Sequence, residues 1–275
     1  MKSEKKIPVQ TGIIVAICIV ALVVISTMLV FPTLFGSAEI QPAGAPDTDV
    51  DGALLPDDTN ISDATTIPAG QTVSEYLAPP EIFPVDETCM QFIFAYCSGD
   101  SVTLTLYEKI ENEWTEQMVI QGVCGKNGIT YNKADGDGKT PAGEFDLTFC
   151  YGISKPDTKL DFQWVDTNTV WVNDPESEYY NTIQSTVIDG AWRSAESLYN
   201  GYFSNGEHNY CINIAANGDG ITPGSAAPGK GSLITVCGKT TPLTNTQGCI
   251  DISAEDMLSL LNLLDSSKNP EIIIY

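Results

Sequence analysis

Cys249, in the segment TNTQGCIDIS (244–253), is the side chain of this sequence best placed for covalent chemistry. A thiol divides one difficult acyl transfer into two easier ones. Gly248 directly before it lets the backbone approach a substrate closely, so that neighbouring N–H groups can receive a developing oxyanion. Taken alone, a Gly-Cys pair is equally what a disulfide or a buried thiol looks like. A free thiol with a pKa near about 8.5 is only partly ionised at neutral pH, so a nucleophile needs a base. Imidazole is the usual one, and the chain has a single histidine, His208.

Six more cysteines share the region after residue 88: Cys89, Cys97, Cys124, Cys150, Cys211 and Cys237. With Cys249 the number is odd, so an oxidising compartment leaves at least one thiol unpaired, and spacing alone does not fix the other pairings. No two of them stand in C-x₂-C spacing, and with one histidine no metal site and no cofactor is expected. Asp135, Asp137, Asn217 and Asp219 sit in Gly-rich turns without the ligand spacing of a calcium loop, so they read as turn formers.

Several segments, taken in order, resemble the L,D-transpeptidase (YkuD-like) catalytic domain of bacterial cell-wall enzymes. GKNGITYNKADGDGKTPAGEFDLTFCYGI (125–153) is similar to the family's Gly-Asp-Gly-Lys-Thr-Pro-x-Gly turn and following strand. GKGSLITVCG (229–238) and TQGCIDIS (246–253), then a helix and a terminal strand, are similar to its nucleophile region. The resemblance implies a β-sandwich-like domain that acts on peptidoglycan stem peptides. In it a cysteine attacks the carbonyl before a terminal D-residue, D-alanine leaves, and the thioester passes to an amine or to water. By position, Cys249 would be the nucleophile and the backbone at Gly248 the oxyanion side. Thr246, Gln247 and Trp192 are candidates to contact the stem peptide.

The chain departs from the family pattern at its base. Cys237 occupies the position of the family histidine, Ser197 in WRSAESLY (192–199) stands where relatives often carry another, and Gln247 replaces the histidine of His-Gly-Cys. YCINIAA (210–216) and SLITVC (232–237) read as neighbouring antiparallel strands, which sets Cys237 opposite residues near 209–211. That pairing brings His208 toward the site as a replacement base. It equally allows Cys237 to bond to Cys211, or to Cys249, which would block the nucleophile. The expected function is therefore an L,D-transpeptidase-like acyl transferase of cell-wall cross-linking. The alternative is a catalytically degenerate member serving as a wall-peptide-binding or structural module.

The elements that must position these residues are mostly strands. QFIFAY (91–96), VTLTLYE (102–108), EFDLTFCYG (144–152) and EIIIY (271–275) join the two strands above, separated by Gly, Asn, Asp and Pro, so 89–275 reads as one mainly β domain. One helix is expected over 254–266, capped by Ser253, with Met257, Leu260, Leu261 and Leu264 on its apolar face. Residues 36–88 hold no Lys or Arg and no sustained period, and read as an acidic, Pro-rich, disordered linker. Residues 11–35 carry no charge and are long enough for a hydrocarbon core of about 30 Å, so a single transmembrane anchor is expected there. Lys2, Lys5 and Lys6 precede it and the next basic residue is Lys109, which places residues 1–10 in the cytoplasm and the domain outside it. A net charge of −23 makes nucleic acid an unsuitable partner. Membrane and stem peptide are the expected ones, and no feature of the sequence fixes an oligomeric state.

Overall fold

Strand periodicity shapes the domain, and the computed structural model describes it over residues 86–185 and 188–275. The expected cytoplasmic tail, the anchor and nearly all of the linker lie outside the described residues. Among the described residues no helix is long and apolar enough to cross a membrane.

β1 (Gln91–Ser98) and β2 (Ser101–Ile110) pair through the tight Gly99-Asp100 turn, and β3 (Glu113–Val123) follows through Glu111 and Asn112, both at positive φ. Positive φ at both central residues gives a two-residue hairpin the twist its strands need. β4 (Ile129–Thr130) and β5 (Thr140–Pro141) bracket the Gly-Asp-Gly-Lys turn. β6 (Gly143–Gly152) is the hub of the large sheet. Along one edge it pairs first with β14 (Glu271–Ile274) and then with β7 (Phe162–Trp164); the other edge takes β11 (His208–Ile214). Continuing through β12 (Thr235–Lys239), β13 (Ile250–Ser253), β3, β2, β1 and β14, the pairings return to β6, so the sheet closes into a barrel. The mainly β class read from the sequence is observed.

Alternation along the strands produces two packed faces. Ile93, Leu104, Leu147, Ile212, Val236 and Ile250 lie in the larger aliphatic cluster. Met257, Leu260 and Leu261 join it from α1 (Ala254–Leu263). Ser253 caps this helix, its Oγ accepting from Asp256 N–H at 3.0 Å. The helix stops earlier than expected because Leu264 is already extended; a short 3-10 turn, Ser266–Lys268, then leads through Asn269 into β14. Outward-facing residues of the same strands form a second, aromatic cluster with Phe149, Tyr151, Trp171, Phe203, Leu233 and Cys237. Part of this cluster comes from a small sheet of β8 (Thr169–Val172), β9 (Ile183–Ser185) and β10 (Ala195–Ser197), and part from a π-helical turn, Tyr199–Phe203.

Candidate active site

Four strands carry a row of aligned residues across this outer face: Tyr151 opposite Cys211, Cys211 opposite Cys237, and Cys237 opposite Asp251. Two residues back along β12 is Thr235, and two residues before Asp251 is Cys249, so the register sets Thr235 and Cys249 side by side. The contacts agree. Cys249 Sγ donates to the Leu233 carbonyl at 3.2 Å and receives the Thr235 hydroxyl at 3.5 Å. Leu233 is left-handed, with φ of 55°, a conformation costing a bulky residue about 1–2 kcal/mol. Asn181 holds it there, accepting from Leu233 N–H at 2.9 Å and from Trp171 Nε1 at 2.7 Å.

Gly248 has φ of 144°, and a Cβ on it would stand 2.8 Å from the Lys139 carbonyl oxygen. Only glycine fits that close crossing. Thr246 Oγ accepts from Gly248 N–H at 3.0 Å and donates to the Cys249 carbonyl at 2.5 Å. The Thr246 hydroxyl thus holds the Gly-Cys turn. Gln247 is exposed beside it. Trp192 packs edge-on against Tyr179, with ring centroids 5.7 Å apart, and is not among the groups bonded to the sulfur.

Cys237 and Cys211 form a disulfide with Cα atoms 4.2 Å apart, one of the pairings the strand register allows, and Cys249 stays free. A disulfide sulfur takes up no proton, so Cys237 cannot serve as a base. His208 does not replace it. It pairs with Lys239, four residues beyond Thr235 along β12, or about 13 Å at roughly 3.3 Å per residue. Its Nδ1–H donates to the Tyr202 carbonyl at 3.1 Å, and burial lowers its pKa. Ser197 Oγ accepts from Asn200 N–H at 3.2 Å at the start of the π-helical turn.

The surroundings keep the thiol neutral. Burial raises the Cys249 pKa, the Thr235 hydroxyl partly offsets this, and the negative charge of Asp251 adds to it. Asp251 is itself pushed up to about 6 by burial, tempered by Lys239, whose Nζ is 3.9 Å away. Tyr151 and Tyr202 are both held protonated, first by burial and next by the field of a Cys249 thiolate. Neither tyrosine was singled out in the sequence. The visible signal was Phe149-x-Tyr151 on β6, whose alternation faces both rings outward and Cys150 inward.

On the other flank of Gly248 runs the Gly-Asp-Gly-Lys loop. Lys133 Cε would lie 3.5 Å from a Cβ at Gly248, and Lys133 with Lys230, Tyr131 and Phe145 lines a cavity of about 320 Å³. Asp137 pairs with Lys133 at 2.5 Å while accepting from the Ala134 and Lys139 N–H groups, so its carboxylate is used to close the turn. Among the described residues no group of three or more His, Cys, Asp or Glu side chains is arranged to hold a metal ion.

No protein-family model matches the chain, and no curated protein matches it. Among solved structures, it is similar to a variant of the helical cell shape determining protein Pgp2 from Campylobacter jejuni, with 12% identity and a TM-score of 0.34. That likeness covers 67% of this chain and spans 46% of the other.

Proposed function

We propose that this chain is an L,D-transpeptidase-like acyl transferase that works on peptidoglycan stem peptides through a thioester on Cys249. The observation that carries the reading is a free thiol fixed at a turn that only glycine permits, reached by the Thr235 hydroxyl, with Lys133 close against the preceding Gly248. Cys249 Sγ attacks the stem carbonyl that precedes the terminal D-alanine. The C–N bond breaks, the thiol proton leaves with the D-alanine amine, and an incoming amine or water then takes the acyl group and returns a proton to sulfur. Lys230 offers positive charge to a stem carboxylate in a strongly acidic protein, while Lys133 is held by Asp137. With the thiol protonated at rest, acylation is slow at neutral pH and speeds up as pH rises. The anchor and linker expected at 11–35 and 36–88 would hold this chemistry outside the cytoplasmic membrane, where peptidoglycan is.

A second reading is favoured by one observation, the Cys211–Cys237 disulfide at the family's base position. On it the domain binds wall peptides without turning them over. A carbapenem, whose carbonyl acylates an active cysteine of this kind, separates the two by intact-protein mass spectrometry. The acyl-transfer reading expects one adduct, mapped to Cys249 and lost in Cys249→Ser. Peptide binding without any adduct supports the module instead.

A further inference from the structure

Thr235, the first residue of β12, is 1% exposed and sets its hydroxyl between two sulfurs. Its Oγ lies 3.1 Å from Cys237 Sγ and 3.5 Å from Cys249 Sγ. Cys237 is bonded to Cys211 and carries no proton, so at its contact, as at that with Cys249, the hydroxyl is the donor. One proton thus serves two acceptors of unequal strength. A disulfide sulfur accepts weakly, whereas a thiolate carries a full charge, and hydrogen bonds to charged groups are the strong ones. When Cys249 ionises, the hydroxyl proton turns to it. The β-branched side chain, stiff at its first torsion, keeps the oxygen in place while the proton turns.

The thiol's own proton points elsewhere, to the Leu233 carbonyl at 3.2 Å, which leaves the sulfur lone pairs open to Thr235. Titratable groups face this sulfur from four other elements: Asp251 on β13, Glu196 on β10, Tyr151 on β6 and Tyr202 in the π-helical turn. Burial opposes the thiolate, and the charges of Asp251 and Glu196 add to that opposition. Asp251 is paired in turn with Lys239, at 3.9 Å. The two tyrosines stay protonated and uncharged. Against the opposing effects stand the hydroxyl and the backbone N–H of Thr235.

We propose that Thr235 is a catalytic residue whose hydroxyl, in contact with the reacting sulfur, donates a hydrogen bond to the Cys249 thiolate and holds it for attack. The hydroxyl keeps its proton throughout, so it is a donor and not a base. The thiol proton passes to solvent and the departing D-alanine amine takes one up, which leaves the overall balance unchanged. This role rests on the acyl-transfer reading. It gives that site a neutral group for one part of what an imidazolium does beside a thiolate, the stabilising of charge on sulfur. The disulfide has a part as well, because a bonded Cys237 offers the hydroxyl no competing thiolate.

The test follows iodoacetamide alkylation of Cys249 against pH, read by peptide mapping, in the full chain and in Thr235→Val and Thr235→Ser. Valine keeps the branched shape and removes the donor. We expect it to slow alkylation at neutral pH about 3-fold to 10-fold, the scale of one hydrogen bond to a charge less the greater nucleophilicity of a more basic thiolate. At high pH its rate should match or exceed that of the wild type. Serine should restore the neutral-pH rate, and carbapenem acylation should follow the same order. An unchanged curve overturns the role of Thr235. So does an equal loss at every pH, which would show that Thr235 only supports the turn, and so does a serine variant as slow as the valine one. Normal wild-type alkylation without any carbapenem adduct overturns the acyl-transfer reading instead, and with it the place of Thr235 in that reaction.

Discussion

The two faces of β6, β11, β12 and β13 share one backbone and differ by a single residue of register. Inward are Cys150, Ile212, Val236, Ile250 and Ile252, all at most 1% exposed and all apolar. Outward, one position away each time, are Tyr151, Cys211, Cys237 and Asp251. The inner face obeys every local rule. The outer face collects an unsatisfied hydroxyl, a left-handed leucine, a raised carboxyl and a thiol beside a disulfide. Breaches of local consistency gather where a protein does chemistry, because geometry there is selected for something besides stability. The two cysteines make the same point. Cys150 is pushed up to about 12 by burial within the aliphatic cluster, while Cys249 is half-buried and reached by a hydroxyl.

The contrast breaks first if the inner face proves to control reactivity. Leu260→Ala should cost about 2–5 kcal/mol in denaturant unfolding, as large-to-small core changes do. In the folded variant, alkylation of Cys249 should be unchanged; a shift of more than a few-fold would show that the faces are coupled. Next in size is the outer face's own contribution to stability. Replacing Cys211 and Cys237 together by alanine, which opens a link of sequence separation 26, should cost about 3 kcal/mol. It should leave Cys249 alkylation in place, measured on the folded protein. Gly248→Ala should cost about 2 kcal/mol through its approach to the Lys139 carbonyl, and it should also slow acylation by moving the sulfur.

The smallest effect sharpens the electrostatics. Asp251 has its native pKa raised from 3.8 to about 6, so between those values the unfolded chain is ionised while the folded one holds its proton. Its contribution to stability therefore falls as pH rises through that window and levels off above about 6. Asp251→Asn should flatten this slope in a pH series of thermal melts. It should also raise the Cys249 alkylation rate at neutral pH about 2-fold to 5-fold, because a negative neighbour no longer opposes the thiolate. A slower rate would mean that Asp251 acts through something other than its charge.

The strands were legible where alternation is clean. β1, β2, β6, β11 and β14 fall on the expected runs, while β12 starts only at Thr235, three residues into the expected 232–237, because Leu233 is left-handed. β3 escaped because its outer face is solvent-exposed and its few apolar residues show no obvious run. β7 to β10 escaped because three or four residues carry too little period. At the site, Cys249 and the antiparallel partnership of residue 211 with 237 were readable from local chemistry. His208 lies on β11, but three residues before Cys211, which sets it opposite Lys239 and beyond the row that holds Cys237; the bulge between His208 and Cys211 moves it by a single residue. Thr235 and Leu233 meet the sulfur only through long-range register, which no local window contains.

In the proposed chemistry Cys249 accepts an acyl group from a wall stem peptide. The most direct measurement incubates the full chain with a peptidoglycan tetrapeptide fragment, quenches in acid to preserve thioesters, and weighs the intact protein. The expected result is a mass gain equal to the fragment less D-alanine, on Cys249 alone, accumulating faster at higher pH and absent in Cys249→Ser. No such gain at any pH, in a protein whose Cys249 still alkylates normally, would contradict it.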